Sequence, residues 1–216
     1  MTTQSKVAVI GLGNIGQVVA ANLAKSNTPV IVADRSRSKT NELAAKWGTS
    51  AQPSDIASAV KESNMVVLAI PYGEITSFMK QYEADLEGKI IIDPSNPIAP
   101  DDKGGFKKII AEDKSAGQEN ANALPKNAKL VKAFGSLGAG SLAAAAYSKP
   151  EAMALFYATD DTTVNPQIEE LITKSGFAPV RIGTLDKSAR IEVFGDLHEF
   201  GALGKTVNAT EAKSKI

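Results

Sequence analysis

Six residues near the start, Gly11-Leu12-Gly13-Asn14-Ile15-Gly16, limit the fold of this chain more than any other feature. They stand between a short apolar run at 6–10 and a segment in which Ile15, Val18, Val19 and Leu23 recur at helical spacing. A G-x-G-x-x-G placed between a strand and a helix gives each glycine a physical task. The first permits a tight turn, the second lets the backbone approach a pyrophosphate, and the third lets the helix lie close to the sheet. The free N–H groups of Asn14, Ile15 and Gly16 then face the anion, helped by a helix dipole contributing roughly 0.3–1 kcal/mol.

Asp34 supplies the second half of the pattern. It ends the next strand about twenty residues after Gly13, where a carboxylate can accept both ribose hydroxyls of a dinucleotide. The plainer reading is a glycine turn that packs a strand on a helix, with Asp34 as a helix cap. Asp34 should repel a 2′-phosphate, yet Arg35, Ser36, Arg37 and Lys39 follow at once and could clamp one. They could equally form a cap and a solvated basic face, so NAD and NADP both remain open.

Beyond this point β-branched runs alternate with helical patterns, the signature of a parallel sheet covered on both faces. Strands are expected at 30–33, 65–70, 89–92, 130–134 and 153–158, and an edge strand with Pro179 at 179–182. Helices are expected at 38–47, after Pro53 in its first turn, and around Ile75, Phe78, Met79 and Tyr82. Another should run from a cap at Asn165 to Gly176, and a last one should carry Leu185, Ala189, Ile191, Val193 and Phe194. Residues 94–124, rich in Pro, Asp, Gly and Asn, read as a long loop ending in a short helix. The fold class is therefore α/β, a doubly wound parallel sheet of the Rossmann type. It forms one domain over 1–216, with 135–216 as an acceptor-side and C-terminal α/β extension.

Composition narrows the function. The 24 basic and 24 acidic side chains cancel, which argues against nucleic acid or an anionic membrane as partner. With no Cys, disulfides, thiolate nucleophiles and Cys-based zinc sites are excluded. With one His, a three-histidine metal site is excluded too, and no metal is expected. No apolar stretch reaches membrane-spanning length and the opening residues lack a signal peptide, so a cytoplasmic setting is expected. His198 reads either as a proton donor over the nicotinamide or as a surface residue, with Asp196 and Glu199 raising its pKa. Phe194, Leu197 and Phe200 make the terminal segment apolar enough to pack on the domain or on a second copy, and a homodimer is expected.

In a doubly wound sheet the ligand lies outside the carboxyl ends of the strands. That singles out Pro71-Tyr72, the stretch 93–97 and the stretch 135–138, with Tyr72 or Asn96 bordering the nicotinamide.

Taken together, GLGNIG, the strand ending in AIPY, IIDPSNP, LPKNAKLVKAF and GFAPVRIGTLDKSARIE resemble the NADP reductases that use the deazaflavin coenzyme F420. The chain is similar, more weakly, to the cytosolic domain of membrane ferric reductases and to the nucleotide domain of pyrroline-carboxylate reductases. The resemblance implies dinucleotide contacts at Leu12, Gly13, Asn14, Ile15, Arg35, Lys39, Ile70, Asn96 and Ala133. Asp34 stands where the family often has a small hydroxyl residue, and Gly135-Ser136 where related chains often carry Asn-Thr. It also implies hydride transfer between two flat rings, a nicotinamide and a deazaflavin or flavin co-substrate, without a covalent intermediate. Positioning would then supply up to roughly 7–11 kcal/mol of the rate enhancement, and the small residues of 135–146 would let a flat ring approach the backbone. Two other functions fit the same cradle. A small imine or carbonyl reductase would use His198, Tyr72 or Lys132 as proton donor, and a non-catalytic redox sensor would bind NAD(P) and report it.

Overall fold

Each of the four side chains in the first strand, β1 (Val7–Ile10), is buried. A strand with neighbours on both edges and helices on both faces selects a continuous apolar run in place of an alternating one. The structure, a computed structural model, describes residues 6–216; the first five residues, on which the expectation of no secretory leader partly rests, lie outside the described residues.

From β1 the glycine turn leads into α1 (Asn14–Lys25), which closes where Asn27 takes a left-handed conformation, φ 56°. Then come β2 (Val30–Ala33), α2 (Arg37–Trp47), β3 (Ala51–Pro53), α3 (Ile56–Glu62), β4 (Met65–Leu68) and α4 (Tyr72–Gln81). The single turn α5 (Glu83–Leu86) precedes β5 (Ile90–Asp93), and a hairpin of β6 (Ile98–Pro100) and β7 (Phe106–Lys108) precedes α6 (Ala116–Ala121). The remainder is β8 (Lys129–Ala133), α7 (Ala139–Ala144), β9 (Ala154–Ala158), α8 (Asn165–Lys174), β10 (Ala178–Gly183) and α9 (Ala209–Lys213).

The main sheet has the order β10-β9-β8-β5-β4-β1-β2-β3. Its strands from β3 across to β8 run parallel, so the architecture is the expected doubly wound α/β sheet. Order reverses between β1 and β4, and the crevice outside their carboxyl ends is where such sheets take ligands. Alternation along β1 decides the two faces: Val7 and Val9 pack with α1, Ala8 and Ile10 with α3 and α4. A third cluster, including Phe156, Val180, Ile191 and Leu197, roofs the far end of the sheet. Leu197 thus packs on its own chain, whereas Phe194 (52%) and Phe200 (63%) are exposed.

Several local expectations need correcting. β9 runs antiparallel to β8, with Lys132 opposite Ala158 and Ala133 opposite Tyr157, and β10 follows it, so the two last strands oppose the rest. Pro53 does not open a helix. It closes the short edge strand β3, where its missing N–H leaves no ladder bond unmade, and α3 starts later, with the Asp55 carboxylate accepting the Ser58 N–H at 2.9 Å. Asn165 is not a cap either, because α8 continues from a 3₁₀ turn at Thr162–Val164 that Asp161 caps. The strand expected to reach residue 70 ends at Leu68, and the long loop at 94–124 contains the β6–β7 hairpin before its short helix. The segment expected as the final helix is a 3₁₀ turn over Leu185–Ile191 that stops short of Val193 and Phe194, and α9 follows it. Among the described residues no helix is long and apolar enough to cross a membrane.

Candidate functional site

The three glycines of the turn are glycine for different reasons. At Gly11, φ is 87° and a β-carbon would lie 2.5 Å from the Ala69 carbonyl oxygen; at Gly16 it would lie 1.9 Å from the Gly11 oxygen. Both are required by the chain's own packing. Gly13 has φ −73°, which any residue adopts, and no protein atom lies within 4 Å of where its β-carbon would point. Nothing inside the protein asks for glycine there, and the space in front is a cradle that a side chain would fill.

That cradle opens at the start of α1, whose first turn has no acidic residue and no side-chain cap. The first intrahelical bond runs from Gln17 N–H to the Gly13 oxygen at 3.0 Å. The preceding N–H groups, of Asn14, Ile15 and Gly16, have no intrahelical acceptor. Outward-facing donors at the positive end of a helix dipole, with no competing carboxylate, suit a diphosphate. The residues present therefore fit a dinucleotide.

Asp34 is tied into the same turn. One carboxylate oxygen accepts the Leu12 N–H at 2.7 Å and the other the Ser36 N–H at 3.0 Å. Burial works to raise its pKa, but the bonds from Ser36 and Leu12, with Lys39 and Arg35 close by, outweigh it and hold the carboxyl below its ordinary value. Each oxygen keeps a second lone pair free for a ribose hydroxyl. Ser36 spends its hydroxyl capping α2, accepting the Lys39 N–H at 3.4 Å.

Gly11, Gly13, Asp34, Arg35, Lys39, Ile70 and Pro71 share one cleft of about 560 Å³. The sequence reading missed its apolar wall, Ile56 with Phe78 and Tyr82, whose rings pack 4.6 Å apart. Their helical spacing in α4 was legible, but not the face they turn to the cleft. Leu12 and Ala133 are buried in the core and do not line the cleft, Ala133 at the end of β8, and Asn14 and Ile15 sit at the start of α1. Asn96 lies apart, beyond β5, with both ends of its amide engaged: Nδ2 donates to the Gly135 oxygen at 3.0 Å, and Oδ1 accepts the Val193 N–H at 2.7 Å. It clamps the loop after β8 and the terminal segment to the end of β5.

Beneath these loops lies a buried polar network that the sequence reading also missed. Lys132 Nζ reaches Asp93 at 3.1 Å and the Ser95 oxygen at 2.6 Å. Asn120 donates to the same carboxylate at 2.8 Å, and the Ser95 N–H to its other oxygen at 2.7 Å. Glu192, also buried, accepts the N–H groups of Ala116 and Gly117 and the Ser188 hydroxyl. A lysine inside the apolar run of β8 was the available signal, since such a charge is buried only when paired.

His198 is neither a surface residue nor a free acid. It is 1% exposed; its Nδ1 accepts the Phe200 N–H at 2.9 Å, so the proton sits on Nε2 and is donated to the Gly135 oxygen at 2.9 Å. Burial lowers its pKa and outweighs the opposing pull of the Gly135 bond and Glu199, so the expected upward shift is reversed. Of the proton donors an imine or carbonyl reductase would draw on, Lys132 and His198 are thus engaged. The Tyr72 phenol is held protonated by burial and by Glu119, Glu192 and Asp93 around it. Among the described residues no group of three or more metal-ligating side chains could hold an ion.

The open space before Gly13, the free N–H groups at the start of α1 and the Asp34 carboxylate together suit a dinucleotide at the switch point of the sheet. The fold is of the Rossmann type, and the class of protein it resembles is that of the NAD(P)-dependent oxidoreductases. More narrowly, residues 6–97 match the family described as NADP oxidoreductase, coenzyme F420-dependent, and the chain resembles that family. It is 31% identical over 141 residues to the F420-dependent NADP reductase of Methanocaldococcus jannaschii, a stretch covering 60% of this chain and 62% of that protein. A hypothetical protein, SMa0349, of Sinorhizobium meliloti superposes with a TM-score of 0.81 at 30% identity, covering 94% of this chain and 95% of that one. The pyrroline-5-carboxylate reductase of Coxiella burnetii shares the fold, with a TM-score of 0.63 at 15% identity over 90% of this chain and 65% of that one.

Proposed function

We propose that the protein moves a hydride between a nicotinamide dinucleotide, NADP or NAD, and a planar small-molecule acceptor of the deazaflavin or flavin kind, acting in the cytoplasm. The observation that carries this reading is the empty space before Gly13 at the start of α1. The nicotinamide, when bound, supplies or accepts the hydride. The chain's own residues do the rest. The N–H groups at the start of α1 hold the diphosphate, Asp34 takes a ribose, and Arg35 and Lys39 stand by for a 2′-phosphate.

The choice of acceptor is supported by the placement of two of the three candidate proton donors, the third, Tyr72, being held as a neutral phenol. Lys132 and His198 are committed to Asp93 and Gly135, and transfer between two flat rings needs alignment more than a proton donor. The activity named for the Methanocaldococcus relative points the same way. The test is the loss of NADH or NADPH absorbance with deazaflavin, flavin, ferric and imine acceptors in turn. Oxidation with the flat acceptors is expected; tight cofactor binding with silence across the whole series would overturn the reading in favour of a sensor.

A further inference from the structure

Phe194 is a bulky residue at φ 73°, a left-handed conformation that favours Gly or Asn, and it is 52% exposed. Neither the backbone nor the core accounts for an aromatic side chain there. Phe200, 63% exposed, stands beside it because Gly201 presses on the Phe194–Gly195 backbone: a β-carbon on Gly201 would lie 1.9 Å from the Gly195 oxygen and 2.9 Å from the Phe194 carbonyl carbon.

The segment carrying both rings is fastened across the carboxyl ends of β5 and β8. Val193 N–H donates to Asn96, His198 Nε2 to the Gly135 oxygen, and Glu199 N–H to the Ser136 oxygen at 3.1 Å. The Glu199 carboxylate accepts the Gly138 N–H, and a β-carbon on Gly138 would lie 2.9 Å from the Phe200 ring. Two strained or exposed aromatics are thus held rigidly where a doubly wound sheet presents the far half of its ligand.

We propose that Phe194 and Phe200 form the stacking wall of the acceptor site, receiving a planar fused-ring molecule on their exposed faces. The inference rests on the hydride-transfer reading above and names the residues that would recognise its acceptor. Size favours a flat ring over a second copy of the chain. A phenylalanine has about 150–250 Å² to bury, of which Phe194 and Phe200 leave 52% and 63% uncovered, whereas a stable dimer buries about 800 Å² per partner. A fused tricyclic ring is matched by the smaller figure.

The test measures binding of 5-deazariboflavin and of FMN to the dinucleotide-loaded protein by fluorescence quenching, in the wild type, Phe194→Asn, Phe200→Ser and the double variant. Asn suits the left-handed backbone and Ser keeps the N–H bonded to His198, so both variants should fold, which a melting curve checks. Each is expected to weaken ring binding about tenfold, as loss of one aromatic stacking face does, with dinucleotide affinity and sedimenting mass unchanged. Unaltered ring affinity in the double variant would overturn the proposal. So would a fall in sedimenting mass without loss of ring binding, which would assign the rings to a second copy. A wild type that binds the dinucleotide but neither ring probe overturns the stacking wall alone; one that binds no dinucleotide overturns the functional reading beneath it.

Discussion

The Leu12 N–H and the Asp34 carboxylate, 22 positions apart in the chain, are joined by a 2.7 Å hydrogen bond. The bond fixes the turn after β1 to the end of β2, so the residue proposed to take the ribose also shapes the loop proposed to hold the diphosphate. Asp34→Ser should therefore act twice. Preference should move toward NADP by tenfold or more, since a hydrogen bond to a charged group contributes about 1.5–3 kcal/mol, and affinity for both cofactors should drop as the loop loosens. Dissociation constants for NADH and NADPH measure both effects, and unchanged relative affinities would reduce Asp34 to a cap.

Gly13→Ala and Gly16→Ala separate binding from folding. The first meets no protein atom within 4 Å, so stability should stay within about 0.5 kcal/mol while calorimetry shows dinucleotide binding weakened tenfold or more. The second forces an atom to 1.9 Å from a carbonyl oxygen, and thermal melting should show a loss of several degrees or failure to fold.

Lys132→Met leaves Asp93 buried without its partner, and breaking a buried pair costs about 3–5 kcal/mol. Adding Asp93→Asn should recover part of that loss, because it removes the buried charge and its single amide oxygen can keep the bond from the Ser95 N–H. Urea midpoints of the two variants decide; equal destabilisation would mean that the charge pair is not what holds these strand ends.

His198 gives a pH dependence of definite sign. Its folded pKa lies below the ordinary 6.5, so the unfolded chain takes up the proton first as pH falls. The stability tied to neutral His198 is complete above 6.5, declines as pH drops below it, and levels off beneath the folded value. His198→Gln, which keeps a donor for the Gly135 oxygen, should remove that component from the stability profile, measured by urea unfolding between pH 7 and 4.5.

The cleft around Gly11, Gly13 and Asp34 was open to reading because its signals are local. Gly11, Gly13 and Asp34 act through backbone geometry within one β-α-β unit, and turn chemistry of that kind is written in neighbouring residues. The reversal of β9 was hidden, since its apolar run reads alike in either direction. β3 was hidden by shortness, being three residues ending in a proline. On the acceptor side the decisive contacts span great sequence distances, such as Asn96 with Val193 and His198 with Gly135. No spacing rule connects such pairs. Lys132 alone announced itself, as a charge in an apolar strand, without disclosing its partner.

Because β9 and β10 oppose the other strands, the chain leaves β10 at the edge of the sheet remote from the cleft, where Gly183 accepts the Thr159 N–H and Leu185 donates to Asp160. It must climb the sheet to bring Phe194 and Phe200 to the opposite rim, and the 3₁₀ turn Leu185–Ile191 is that ascent. Cradle and wall are thereby encoded in separate stretches of polypeptide that meet only in space. On the proposed reading, exchange of the stretch after β8 would change the acceptor's surroundings and leave Gly13 and Asp34 in place, provided the bonds of Val193 to Asn96 and of Glu192 to Ala116 are kept.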